Sequence, residues 1–393
     1  MTRPHELAHE PPDPPQVLRN PGRVAEPPVP RVGPGPRAFH RRLPGYASTP
    51  LVEAPALAAE LGVGRLWCKD ESARLGLPSF KILGASWAVY RLLTERLAAQ
   101  GGGGEPAWAD LDELRAAVAT LGPLSLVAAT DGNHGRAVAR MAKLLGLGAH
   151  VLVPAGTAVA RIAGIESEGA RVDVVDGTYD DAVAESARLA DDHTLVVSDT
   201  SWAGYTEVPG WVIEGYATIF AEVDEALAAA GAAAPDVVLV PMGVGALTAA
   251  VVARYSADST VVAVEPLDAA CGMASAAAGA PAEVPGPHES IMAGLNCGNV
   301  SVIAWPAVAA GVDLFVAVPD ADAEQAMRDL DTIGIEAGET GGAALAGLRA
   351  LTDSPEWHAT VAGKVVLVLC TEGATDPAGY EARVGHPPRP GLG

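Results

Sequence analysis

The sequence predicts an α/β protein built as two parallel-sheet domains with a ligand cleft between them. Three observations lead there. Residues 125–197 alternate strand and helix, a second alternating series runs from 236 to 370, and turn or polar residues follow the strands of both. In open α/β sheets ligands sit at the carboxyl ends of strands, so the economical site lies between the two blocks.

Composition narrows the function classes. A chain of 393 residues, 49% hydrophobic and 19% charged, with no long apolar span, is a globular α/β composition with a large core. The net charge of −22 argues against nucleic acid or an anionic membrane as partner. Cys68, Cys271, Cys297 and Cys370 form no CxxC unit, so neither zinc nor a disulfide framework is implied. Cys271 and Cys297 read as two buried free thiols. Histidines are scattered, and no metal site is expected. Residues 1–15 carry charges and prolines but no apolar signal core, so the expected location is the cytoplasm.

In chain order, residues 1–36 are rich in Pro, Arg and Glu and read as an extended arm, partly disordered or lying along a partner subunit. A short helix is expected over Ala54–Leu61 and a buried strand over Arg65–Cys68. A helix opens at Ser79 and runs to about Ala98, followed by a surface loop at Gly101–Gly104. Asp110 caps a helix reaching Leu121, with Leu111, Leu114, Val118 and Leu121 on one face. Strands at 125–129, 149–153, 171–175 and 195–197 alternate with helices at 135–146, 158–168 and 179–191. One long helix is expected over Pro209–Ala230, then strands at 236–240, 261–264 and 364–370.

The chemistry-bearing stretches fall at strand ends. Lys81 follows Pro78-Ser79-Phe80, and a Ser79 N-cap places it in a first helical turn. The partial positive charge there disfavours a protonated amine and favours a nearby anion. That suits a lysine forming a Schiff base with a phosphate-bearing aldehyde. Arginine dominates the basic residues, and the lysines are Lys69, Lys81, Lys143 and Lys364. The alternative is a surface lysine whose stem covers apolar neighbours.

Thr130-Asp131-Gly132-Asn133-His134-Gly135 follows a strand and opens a helix, as a carboxylate-binding loop does; an ordinary βα turn has the same composition. Asn133 can donate to a ring hydroxyl oxygen, and Asp131 is a candidate base or ammonium partner. Gly243-Val244-Gly245-Ala246-Leu247 admits one phosphate at a helix start but lacks the third glycine of a dinucleotide fingerprint. Asp199 follows a strand beside Thr200, Ser201 and Trp202, either as an acid/base or ammonium ligand or as an Asx turn. Gly338-Glu339-Thr340 and Thr371-Glu372-Gly373 supply two threonines, either able to bond a pyridine nitrogen.

Together and in this order these stretches resemble the fold-type-II, tryptophan synthase beta-like pyridoxal-phosphate enzymes, and within them the diaminopropionate ammonia-lyase family. The likeness runs from about Phe39 to about Pro377, and is carried by Lys69-Asp70-Glu71-Ser72, Phe80-Lys81, the 129–135 loop, Asp199-Thr200-Ser201-Trp202, Ile291–Leu295 and Thr371–Pro377. The resemblance implies pyridoxal 5'-phosphate held by Lys81 and Phe80, its phosphate at Gly243–Leu247, Asn133 at the ring oxygen, and Thr340 or Thr371 at the ring nitrogen. Lys81, Asp131 and Asp199 would be catalytic. Ser79, Thr130, Asp131, Gly132, His134 and Asp199 would receive the substrate.

The activity implied is α,β-elimination of D- or L-2,3-diaminopropionate to pyruvate and ammonia by a homodimer acting on a small amino acid. A larger cofactor domain (37–84 and 206–393) and a smaller substrate-side domain (85–205) would enclose the site. Pro78-Ser79 and Asn296 depart from the pattern expected of the family. They leave a serine/threonine dehydratase-like lyase or a β-replacement synthase as the alternative.

Overall fold

The computed structural model describes residues 13–27, 29, 32–101, 107–130 and 132–389. Asp131, residues 1–12 of the arm and residues 102–104 of the glycine loop lie outside the described residues. The strands are β1 (Gln16–Arg19), β2 (Leu51–Glu53), β3 (Arg65–Asp70), β4 (Ser125–Ala129), β5 (Gly148–Pro154), β6 (Arg171–Val175), β7 (Thr194–Val196), β8 (Val237–Pro241), β9 (Thr260–Pro266), β10 (Leu314–Val318) and β11 (Val365–Cys370). They form a seven-stranded sheet of order β1-β10-β9-β8-β11-β3-β2 and a four-stranded sheet of order β6-β5-β4-β7. Every pairing is parallel except those of β1 with β10 and β2 with β3.

The central strands explain the parallel arrangement. Every residue of β8 and β10 is buried, as β-branched runs covered by helices on both faces must be. The helix Glu339–Asp353 lies on this sheet, and its residues 339–348 are all buried. A helix enclosed on all sides needs no apolar stripe, so its Gly-Gly-Ala-Ala start carries no periodic signal.

Two expectations need correction. Residues 1–36 do not form an arm throughout: Gln16–Arg19 pairs antiparallel with Leu314–Ala317 of this same chain. The Asn20 amide then donates to Ala309 O at 2.9 Å and Val312 O at 2.6 Å, anchoring the segment. The proline-rich composition hides a four-residue strand whose partner lies far along the chain.

The single helix expected over 209–230 is two, Glu207–Gly215 and Ala217–Ala229. The helix Lys81–Gly101 crosses it there so closely that a Cβ on Gly215 would lie 2.4 Å from Leu83 O, and one on Gly84 would lie 2.6 Å from the Tyr216 ring. The Tyr216 N–H bonds Ile213 O at 3.3 Å, tightening the turn.

Because the Lys81 helix packs against both Glu207–Gly215 and Asn133–Leu145, it joins the two sheets' layers. The cleft opens where the carboxyl ends of β3, β8 and β11 face those of β4 and β7. Among the described residues no helix is long and apolar enough to cross a membrane. No group of three His, Cys, Asp or Glu among them is placed to hold a metal. The four cysteines are buried.

Candidate active site

The loop leading to Lys81 is held before the helix starts. Arg74 and Leu77 exchange backbone hydrogen bonds of 2.7 and 2.9 Å across a turn, with Leu75 at φ 52° and Gly76 at φ 72°. Ser79 then pairs with Glu372, and the Phe80 N–H bonds Thr371 O at 3.3 Å. The Ser79 hydroxyl accepts from the Lys81 N–H at 3.4 Å, and the Phe80 ring meets Tyr216 at a centroid distance of 4.8 Å. Lys81 therefore enters the cleft from a fixed base.

Its ammonium donates to Asp199 Oδ2 at 2.6 Å. The Tyr179 hydroxyl donates to the other oxygen, Oδ1, at 3.0 Å. His134 Nδ1 lies 4.0 Å from Asp199 Oδ2, while Nε2 is 2.8 Å from Val197 O. Burial alone would raise the Asp199 carboxyl. The charges of Lys81 and His134 and the bonds from Lys81 and Tyr179 outweigh it and hold the group well below the usual carboxylate range.

The opposite wall begins after β8. Gly245 has φ +96°, a left-handed value that favours glycine, and caps the helix Ala246–Tyr255. Gly243 is confined for another reason: a Cβ there would lie 3.2 Å from both Gly294 O and Cys297 Sγ. Beyond it, Thr340 Oγ1 accepts from the Gly294 N–H at 3.1 Å. Among the cleft's lining residues, the hydroxyls of Thr248 and Thr371 are buried with no hydrogen-bond partner among the described residues. Asn133, the first residue of its helix, gives its side-chain amide to Glu372 Oε2.

Of the residues singled out from sequence, Phe80, Lys81, Asn133, Asp199, Gly243 to Leu247, Thr340 and Thr371 line one cleft. Ser79, Thr130, Gly132 and His134 are not among its lining residues. The Thr130 hydroxyl accepts from the Gly132 N–H at 2.9 Å, which ties up the loop's own turn. Tyr179, Thr248, Gly294 to Cys297 and Glu372 line the cleft without having been singled out for the site. Glu372 had a signal beside it, since it adjoins Thr371 after the last strand. Tyr179 had none, because its role appears only when the start of one helix meets the end of β7.

A family profile described as "Pyridoxal-phosphate dependent enzyme" matches residues 42–371. The diaminopropionate ammonia-lyase of Salmonella typhimurium is 35% identical over 365 residues, covering 88% of this chain and 89% of the relative. The crystal structure of the Escherichia coli diaminopropionate ammonia-lyase in complex with D-serine superposes with a TM-score of 0.85 at 32% identity, covering 94% of this chain and 96% of that one. The same enzyme in complex with an aminoacrylate-PLP azomethine reaction intermediate gives a TM-score of 0.83, also at 32% identity and with the same coverage. With this cleft, this fold and these relatives, the chain belongs to the diaminopropionate ammonia-lyase family of pyridoxal-phosphate dependent enzymes.

Proposed function

We propose that the chain converts D- or L-2,3-diaminopropionate and water to pyruvate and two ammonia molecules, using pyridoxal 5'-phosphate. The observation that carries this reading is the part-buried Lys81–Asp199 pair at 2.6 Å, facing the cleft of a chain of this family. The residues present fit the cofactor. Lys81 offers an amine for the aldehyde, and the amides opening the helix at Ala246 offer an anion site. The unpartnered Thr248 and Thr371 hydroxyls remain available for polar groups. Thr371, with no other partner, and Thr340, whose Oγ1 accepts from the Gly294 N–H but keeps its O–H to donate, both suit the ring nitrogen.

When bound, the cofactor supplies the electron sink for negative charge at the substrate's Cα. The chain's own residues do the rest. Asn133 would serve the ring oxygen and Phe80 would line the ring's seat. Lys81 would move a proton at Cα. Asp131 and Asp199 divide two tasks: one exchanges a proton on the face away from Lys81, and the other holds the substrate's 3-ammonium. Two bases on opposite faces would admit both enantiomers. Buried among charged partners, Asp199 stays ionised, which suits it to either task. Ser79, Thr130, Gly132 and His134 support the substrate side, and the family resemblance supports a cytoplasmic homodimer.

The test is to incubate holoenzyme with D- and L-2,3-diaminopropionate, serine and threonine separately, measuring keto acid and ammonia. Pyruvate and ammonia from diaminopropionate well above the hydroxy amino acids is expected. Faster turnover of serine or threonine would favour the dehydratase-like reading.

A further inference from the structure

Glu372 is 1% exposed and lines the cleft, where a carboxylate is costly unless its oxygens are satisfied. Its two oxygens face different directions. Oε1 lies 3.3 Å from the Thr340 N–H and 3.7 Å from Arg161 Nη2; Oε2 takes the Asn133 amide. Its backbone belongs to the large-sheet side, bridging Ser79 and accepting from the Gly338 N–H at 3.0 Å. Asn133 and Arg161 both come from the first turns of helices flanking the four-stranded sheet.

An ionised carboxylate only accepts, whereas an asparagine amide presents a donor end and an acceptor end. Facing Glu372, the Asn133 amide can turn only its NH2 end to the carboxylate, which fixes the amide plane and excludes the flipped arrangement. One N–H is then spent on Oε2, and the second is left in a set direction. We propose that Glu372 is a positioning residue that fixes the orientation of Asn133, so that the amide presents an N–H to the cofactor's ring oxygen. Arg161 and the Thr340 N–H hold Oε1 and so aim Oε2. The assignment rests on the reading of the cleft as the cofactor seat with Asn133 at the ring.

The experiment compares wild type, Glu372→Gln, Asn133→Ala and the double variant as purified apoproteins reconstituted with pyridoxal 5'-phosphate. The readouts are cofactor affinity and the absorbance and induced circular dichroism of the bound cofactor. Glutamine keeps the volume but both accepts and donates, so it no longer excludes the flipped amide. Glu372→Gln is expected to shift the cofactor bands and weaken affinity about 3- to 10-fold, the worth of one oriented hydrogen bond. In the Asn133→Ala background the same change should add nothing, because its effect runs through Asn133.

An unchanged Glu372→Gln signature beside an altered Asn133→Ala one would overturn the positioning role and leave the seat standing. A Glu372→Gln effect undiminished in the double variant would overturn it as well. If Asn133→Ala itself left bands and affinity unaltered, the placement of Asn133 at the ring would fall first, and the role of Glu372 with it. A fourth variant, Glu372→Ala, removes the acceptor altogether and should shift the bands at least as far as glutamine does. A smaller shift would count against the proposal.

Discussion

Lys69 and Lys81 stand twelve positions apart on either side of one loop, and their surroundings are opposite. Lys69 is 1% exposed and donates to Thr49 O at 2.8 Å and Glu222 Oε2 at 2.7 Å, with Glu71 Oε1 3.7 Å away. Arg74 completes that cluster, binding Glu71 at 2.6 Å and Glu222 at 2.7 Å. It holds two cations and two carboxylates in a packed interior, each of the four residues at most 3% exposed. Lys81 also meets a carboxylate, but at the wall of a cleft with room for a ligand. A lysine enclosed by acceptors is a fixed cation; a lysine paired at a cavity wall has an amine that can be exchanged. The first cluster fixes the loop, and the second uses the position so fixed.

Substitution separates the two. Lys81→Ala should abolish turnover, by at least about 10³-fold, and remove the covalently held cofactor, as borohydride trapping and mass spectrometry would read. Should that variant still trap cofactor at another residue, the contrast between the lysines collapses. Asp199→Asn should lower kcat about 10²- to 10⁴-fold, the usual range for an acid/base group, while cofactor binding persists. Lys69→Met should act on stability, costing about 3–5 kcal/mol in denaturant unfolding because a buried pair loses one partner. The Lys69→Met holoenzyme that survives should retain its cofactor band. A variant as stable as wild type but with no cofactor band would reverse the two assignments.

The smallest effect concerns acid. Glu222 is held at about 2: burial would raise it, but hydrogen bonds and charges from Arg74 and Lys69 prevail. With the depressed Asp199, Glu222 stays ionised in mildly acidic solution; the unfolded chain's carboxylates take up protons first, so this stabilisation is lost progressively as pH falls from the ordinary carboxylate range through those low values. His40 responds earlier. Buried between Thr218 Oγ1 at 2.7 Å and Leu83 O at 2.9 Å, its ring is pushed down to about 3, chiefly by burial. The unfolded chain takes up a proton near pH 6.5 that the folded chain refuses, so stability should fall as pH drops from there towards 3. The slope is about 1.4 kcal/mol per pH unit at most, and His40→Asn should flatten it in urea titrations at stepped pH.

Much of the fold and the cleft was legible because the chemistry follows strands directly in sequence. Ser125–Ala129 and Arg171–Val175 match their expected bounds, and Lys81, Asn133, Asp199 and Gly243–Leu247 meet around one cleft. What was not legible depends on distant partners. Glu372 reaches Asn133 across 239 positions, and no local pattern announces such a bond. Tyr179 looked like a helix start and is also a cleft residue. The break at Tyr216 is set by the crossing Lys81 helix, and the strands at Gln16 and Leu51 are too short for periodicity to show.

Those two short strands have a consequence for solubility. A parallel sheet ends on each side in a row of unused N–H and C=O groups, a template for another chain. Here β1, four residues long, closes the β10 side, and β2, three residues long, closes the β3 side, both running against the grain of the sheet. Trimming the chain to residue 20 would leave every cleft residue in place yet uncover β10, whose five residues are apolar from end to end. The expected penalty is self-association through that edge, visible as concentration-dependent light scattering, rather than loss of the reaction.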